Sequence, residues 1–312
     1  MRRFLCFVVL LLFLLVGTGV FYHMSGGRMP DDHDILDNVP NVIDGKNRVE
    51  NVAEQSRPKL DSARAYCDRG DAAMSRGEWR KAESDFTEAI RLDPKMTLAY
   101  IGRGSASSFA GDSASAIADY DEAIRLEPKR ADAYYFRGAA WATGGNLDKA
   151  VEDFSSAIRF DPRHAAAHAD RGRAHYQRGD LDKAVADFDE AMRLDPALAD
   201  IVYYSRGLAR GKMGMYNEAI ADFTNAIRLD PKHVQAYRNR GVARYHLGEH
   251  GKAIDDFDVA IRLDPELGEV YHDRSLAYRR KGDIVKADED AVRARQLGFR
   301  LPGKERSSGE QR

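Results

Sequence analysis

Six prolines constrain this chain more than any other feature. Pro94, Pro128, Pro162, Pro196, Pro231 and Pro265 stand 34, 34, 34, 35 and 34 residues apart. Each belongs to nearly the same phrase: AIRLDPK at 89–95, AIRLEPK at 123–129, AIRFDPR at 157–163, AMRLDPA at 191–197, AIRLDPK at 226–232 and AIRLDPE at 260–266. A unit of this length cannot bury its apolar face alone. Self-similarity at this period therefore marks a solenoid, in which each helical hairpin stacks on its neighbours.

Aligned from Ala63, the units agree at the columns that a hairpin needs. Position 4 is Tyr66, Tyr100, Tyr134, His168, Tyr203, Tyr237 and Tyr271. Position 8 is Gly70, Gly104, Gly138, Gly172, Gly207 and Gly241, then Ser275. Position 20 is alanine throughout, and position 24 is Phe86, Tyr120, Phe154, Phe188, Phe223 and Phe257, then Ala291. Small residues at 8 and 20 let the two helices approach closely, and the rings at 4 and 24 fill the space beside them. Glycine at 15 can take positive φ and turn the chain, while proline at 32 sits where a missing N–H costs little.

These columns resemble the tetratricopeptide repeat family. The resemblance implies an all-α fold, a right-handed superhelical solenoid of seven helical hairpins preceded by one hydrophobic N-terminal helix. The hairpins fall at 63–96, 97–130, 131–164, 165–199, 200–233, 234–267 and 268–301. The single extra residue, Ala199, is expected in an inter-repeat turn.

Two charged columns also repeat in all seven units. Position 7 is Arg69, Arg103, Arg137, Arg171, Arg206, Arg240 and Arg274; position 23 is Asp85, Asp119, Asp153, Asp187, Asp222, Asp256 and Asp290. Such co-occurrence predicts a structural ladder of Arg–Asp pairs at the hairpin seams. The seventh unit departs from the pattern, with Ser275 for glycine, Ala291 for phenylalanine and Arg295 where the others have Ile or Met. Its second helix, about 283–297, has a thin apolar stripe and a charged outer face, as a terminal cap should. The tail 302–312 is polar and expected to be disordered.

The front end is of another kind. Residues 4–16 are apolar without interruption, and the uncharged run reaches Tyr22. Nineteen residues at about 1.5 Å each span roughly 28 Å, close to the hydrocarbon thickness of a bilayer. Arg2 and Arg3 precede the run, whereas Asp31, Asp32, Asp34 and Asp37 follow it, so the amino terminus stays in the cytoplasm and the rest is exported. Residues 1–24 are therefore expected to be a signal-anchor; cleavage before Val20, releasing a soluble exported protein, is the alternative. Residues 25–62, with Pro30, Pro40 and Pro58 and no helical or strand period, form a flexible spacer.

No catalytic signature stands out: there is no HExxH, P-loop, GxSxG or strand-borne GxGxxG. The near-balance of 48 Lys+Arg against 50 Asp+Glu, net −2, argues against a nucleic-acid binder. Two cysteines, Cys6 and Cys67, exclude a disulfide framework and a multi-cysteine zinc site. His164, His168 and His175 are within metal-binding spacing, but His168 holds the ring column and His164 a turn, so packing is the reading preferred. No enzyme activity, cofactor, metal or small-molecule substrate is expected.

What the resemblance implies instead is a protein or peptide held in a concave groove lined by the first helix of each hairpin, chiefly at positions 2, 5, 6, 9, 12 and 13. In units two to five these include Ile101, Phe109, Tyr135, Phe136, Tyr176, Tyr204 and Leu208. In units six and seven they become Arg238, Asn239, Tyr245, His246, His272, Arg279 and Arg280. The groove is thus expected to be aromatic in its middle and basic toward its carboxy-terminal end. It lacks the lysine at 5 and asparagine at 9 with which family members clamp the carboxylate tails of heat-shock chaperones. The function expected is a membrane-anchored scaffold with its repeats on the exported, periplasmic side. A substrate-recruiting subunit of a separate enzyme is the alternative.

Overall fold

A computed structural model describes residues 62–300. The predicted anchor, most of the spacer and the tail lie outside the described residues. Among those described there are fourteen α-helices and no strand. They divide into two compact units at Gly145/Asn146. The first holds α1 (Ala63–Ser75), α2 (Trp79–Leu92), α3 (Thr97–Phe109), α4 (Ser113–Leu126) and α5 (Ala131–Thr143). The second holds α6 (Leu147–Phe160), α7 (Ala165–Arg178), α8 (Leu181–Leu194), α9 (Ala199–Lys212), α10 (Tyr216–Leu229), α11 (Val234–His246), α12 (His250–Leu263), α13 (Gly268–Lys281) and α14 (Ile284–Gln296). No described helix is long and apolar enough to cross a membrane.

Local chemistry sets these boundaries. Ser62 caps α1, its hydroxyl accepting from the Ala65 amide at 3.2 Å. Gly77 follows α1 at φ +74°, where a side chain would be strained. The repeated Asp-Pro then shapes the turn between hairpins, because the Asp carboxylate accepts the amide two residues on, as Asp93 does from Lys95 at 3.0 Å. The extra residue, Ala199, was expected in the inter-repeat turn but lies just past it. Pro196–Leu198 form a 3-10 turn, and Ala199 itself opens α9.

In five hairpins, those of Gly70, Gly104, Gly172, Gly207 and Gly241, the glycine column meets the ring column. A methyl group at Gly207 would lie 2.8 Å from the Phe223 ring, and one at Gly241 only 2.6 Å from Phe257. Both rings are buried. Ser275 is accommodated in the seventh hairpin because its opposite number is Ala291, which carries no ring.

The charged ladder forms as a set of forks. In α1 and α2, Arg69 donates from Nε and Nη2 to the two oxygens of Asp85 at 2.9 and 2.6 Å. The same two-point contact joins Arg103 to Asp119, Arg171 to Asp187, Arg206 to Asp222, Arg240 to Asp256 and Arg274 to Asp290. Arg137 and Asp153 belong to different units. All seven aspartates are buried. The guanidinium lies over the ring at position 4, 5.0 Å from Tyr66 for Arg69 and 5.4 Å from Tyr237 for Arg240. In the fourth repeat His168 replaces that ring and meets Asp187, Nδ1 to Oδ1, at 3.3 Å.

A third contact, absent from the sequence reading, ties each hairpin to the one before. The remaining nitrogen, Nη1, reaches back to position 25 of the preceding repeat: Arg103 to Thr87, Arg137 to Asp121, Arg171 to Ser155, Arg206 to Asp189, Arg240 to Thr224 and Arg274 to Asp258. Acceptors alternate between hydroxyl and carboxylate. In the seventh repeat the column holds Val292, which offers no acceptor. The outer face of α14 is therefore mixed rather than wholly charged, with Ile284, Val285 and Val292 exposed among Asp288, Glu289 and Arg295.

Two stability measurements test this packing. Gly207→Ala should destabilise by about 1–3 kcal/mol because the Phe223 ring must move. Gly211→Ala, in the same helix with open space around it, should stabilise by about 0.5–1 kcal/mol; equal urea midpoints would refute the close-approach account. Arg274→Ala strips two carboxylates of their shared donor and should cost about 3–5 kcal/mol. Arg279→Ala, which removes an exposed pair with Asp288, should leave the midpoint almost unchanged.

Candidate functional site

The predicted groove residues fall on both units, and the two sets differ. In the first unit, Ile101, Tyr135 and Phe136 are buried. Phe136 stacks on Tyr120 at 6.0 Å and meets Tyr135 edge-on at 5.2 Å, so these rings are spent on packing and offer no face to a ligand. Phe109 is half-buried and stacks on Trp79 with centroids 4.7 Å apart. Sequence placed these four in a groove because their column faces one in the family. Here the small neighbours Ser105 and Ala139 leave room for large side chains to sink between helices.

In the second unit the first helices α7, α9, α11 and α13 are joined directly to one another by side chains 31 to 36 residues apart. The Lys212 ammonium sits 4.1 Å from the centre of the Tyr176 ring. Asn239 donates to the Tyr204 hydroxyl at 3.1 Å and to the Gln235 carbonyl at 2.9 Å. Arg238 pairs with Asp273 at 2.7 Å and Glu269 at 2.8 Å. Arg280 donates to the Tyr245 hydroxyl at 3.3 Å. Tyr204 also packs against His233, the rings tilted by 38° with centroids 4.6 Å apart. Its burial pushes the phenol up to about 12, so it stays protonated throughout the physiological range.

The face these links frame has a definite order. Positions 5 and 6 form one edge, positions 12 and 13 the other, and position 9 lies between them by helical spacing. Position 9 carries Leu208, Val242 and Leu276; the first two are half-buried and Leu276 is exposed. On the far edge stand Lys212, His246 and Arg280. His246 is exposed and lies flat against Tyr216, 4.8 Å between centroids. Lys212 and Arg280 have no carboxylate partner among the described residues.

The expected basic end therefore needs correction. Arg238 is neutralised by two acids, and Arg279 pairs with Asp288 at 2.6 Å. His272 stacks on Phe299 at 4.7 Å. The uncompensated charge runs along one edge, from Lys212 to Arg280, instead of gathering at one end. Pairings between first helices join residues 31 to 36 apart, which reading each repeat by itself does not reveal.

The titratable groups are held by structure. Burial alone would raise the Asp187 carboxyl, but hydrogen bonds from Arg171 and His168 outweigh it and leave its pKa below the usual value. Asp273 is raised, chiefly by burial, against the pull of Arg238. The Cys67 thiol is pushed up to about 11, mainly by burial. His164 and His233 act as helix caps, accepting at Nδ1 from Ala167 and Ala236 at 3.2 and 3.3 Å. His175 is buried beside Asp180. Among the described residues no group of three or more His, Cys, Asp or Glu is placed to hold a metal ion.

Removing Arg238 gives a pH-dependent test. Asp273 has a folded pKa above its unfolded value, and Arg238→Ala raises it further. Stability carried by the protonated acid is then present at low pH and lost as pH rises. The variant should be destabilised more at pH 7 than at pH 4.5, read from urea midpoints; a pH-independent loss would remove Asp273 from the account.

Comparison with known proteins follows the geometry. Family models described as tetratricopeptide repeat match residues 63–96, 109–163 and 204–267, and a further repeat model of the same kind matches 172–214. Among solved structures, the chain is similar to YrrB, described as a TPR protein with an unusual peptide-binding site. That match has 25% identity and a TM-score of 0.54, over 63% of this chain and 97% of YrrB. The C-terminal part of a TPR repeat-containing protein from Cytophaga hutchinsonii matches at 17% identity and TM-score 0.60, over 74% of this chain and 95% of that one. A tetratricopeptide repeat protein from Parabacteroides merdae matches at 19% identity and TM-score 0.56, over 77% and 94%. No curated protein matches this chain.

Proposed function

This chain belongs to the tetratricopeptide repeat family, whose repeats typically mediate protein–protein interaction, and we propose that it is a non-enzymatic scaffold that holds an extended peptide on the α7–α9–α11–α13 face. The apolar segment 4–22 tethers it to the membrane, with the repeats on the exported side. One observation carries the binding reading: Leu208, Val242 and Leu276 run unbroken across three first helices beside cations that no described acid neutralises. Such a face suits a segment with aliphatic anchors flanked by acids. The peptide-binding site in the description of YrrB supports the same use of the fold.

Affinity capture from membranes with cross-linking identifies the partner. Against that partner, Leu208→Asp should weaken binding by roughly 1–2 kcal/mol at every ionic strength, because a buried anchor is lost. Lys212→Glu with Arg280→Glu should matter at 50 mM salt and little at 500 mM. A partner indifferent to all three changes binds elsewhere. The amino-terminal mass of the mature protein tests the tether, since a start at Val20 would show cleavage.

A further inference from the structure

The sequence itself contains a peptide of the composition this face demands. Residues 31–44 read DDHDILDNVPNVID, with five aspartates and neither lysine nor arginine. Between the acids lie Leu36, Val39 and Val42, spaced by three. Neighbouring packed helices lie about 8–10 Å apart, and the first helices here are close enough for Tyr204 to meet Asn239 and Tyr245 to meet Arg280. Three aliphatic residues set among acids have the composition that the Leu208, Val242 and Leu276 column and the cations beside it would receive. The five aspartates complement Lys212 and Arg280 at the edge of the receiving column.

We propose that residues 31–44 of a neighbouring copy occupy this face, joining copies head to tail. The inference rests on the binding reading above and names its occupant. The contact is heterologous, since the donor segment and the receiving face are different surfaces. Each joined copy therefore keeps one free segment and one free face, and the assembly can extend. Anchoring adds to this, because copies held at one membrane present their segments at one height and at high effective concentration.

Complementation of two defective full-length chains tests the proposal in detergent micelles, with mass read by light scattering. One chain carries Asp31→Asn, Asp32→Asn, Asp34→Asn, Asp37→Asn and Asp44→Asn, leaving its face intact. The other carries Lys212→Glu and Arg280→Glu, leaving its segment intact. Wild type should grow beyond two copies with concentration, and its self-affinity should fall about tenfold from 50 to 500 mM salt. Each variant alone should stay a single copy, while an equimolar mixture should form a pair and stop there. A synthetic peptide of residues 29–46 should return wild type to single copies, and a scrambled peptide of equal charge should not. Unchanged unfolding midpoints show that both variants remain folded, as expected at the exposed Lys212 and Arg280. The proposal is overturned if wild type stays a single copy, if either variant alone assembles like wild type, or if the mixture does not pair. A captured partner that depends on Leu208 while wild type stays single would overturn this inference and leave the scaffold reading standing.

Discussion

The fold depends on one side chain used three ways. At position 7 an arginine spends two nitrogens on the buried aspartate of its own hairpin, a third on the hairpin before, and its flat face on a tyrosine ring. Lysine could not replace it: an ammonium has no planar fork to satisfy two carboxylate oxygens and no extended face to lie on a ring. The aspartate is equally fixed, since a buried carboxylate without its donor carries an uncompensated charge. Where a second arginine is within reach, as Arg210 is for Asp222 and Arg244 for Asp256, it adds a further donor to the same acid.

Because the fork holds both helices of a hairpin and reaches back one repeat, it also sets where the first helices stand. In the second unit that spacing lets polar side chains span from α9 to α11 and from α11 to α13, and these links frame the Leu208–Val242–Leu276 column. The putting of charge at its edge follows from the same arrangement. Arg238 is drawn onto Asp273 and Glu269 of the next helix, whereas among the described residues Lys212 and Arg280 meet aromatic partners and no acid.

Most of the fold could be read from the chain because a repeat states each requirement several times. Gly207 opposite Phe223, the Asp-Pro turn and the Arg–Asp columns are all visible as recurring letters, and Ser275 with Ala291 marks the one unit where a ring is missing. The face was harder to read. Tyr135 and Phe136 occupy groove columns, yet their burial depends on how small their neighbours are. The neutralisation of Arg238 depends on acids 31 and 35 residues away, across a helix–helix contact that columns within one repeat do not show. The back-reaching acceptor at position 25 was present as a regular column, Thr87 to Asp258. Its side chain varies between hydroxyl and carboxylate, and only the shared role of hydrogen-bond acceptor unites the members.

Val292 gives that column a further meaning. Every earlier repeat offers its successor a polar hand at this place, and the seventh offers a hydrocarbon. An eighth hairpin of the same design, fused after Gly298, would arrive with an arginine reaching back for an oxygen and find a methyl group. The back-reaching series among the described repeats thus stops at a single residue. Duplication of an inner repeat would extend the array without penalty at its seams, whereas copying the terminal repeat would not. Growth of such a protein in evolution is therefore steered toward its interior.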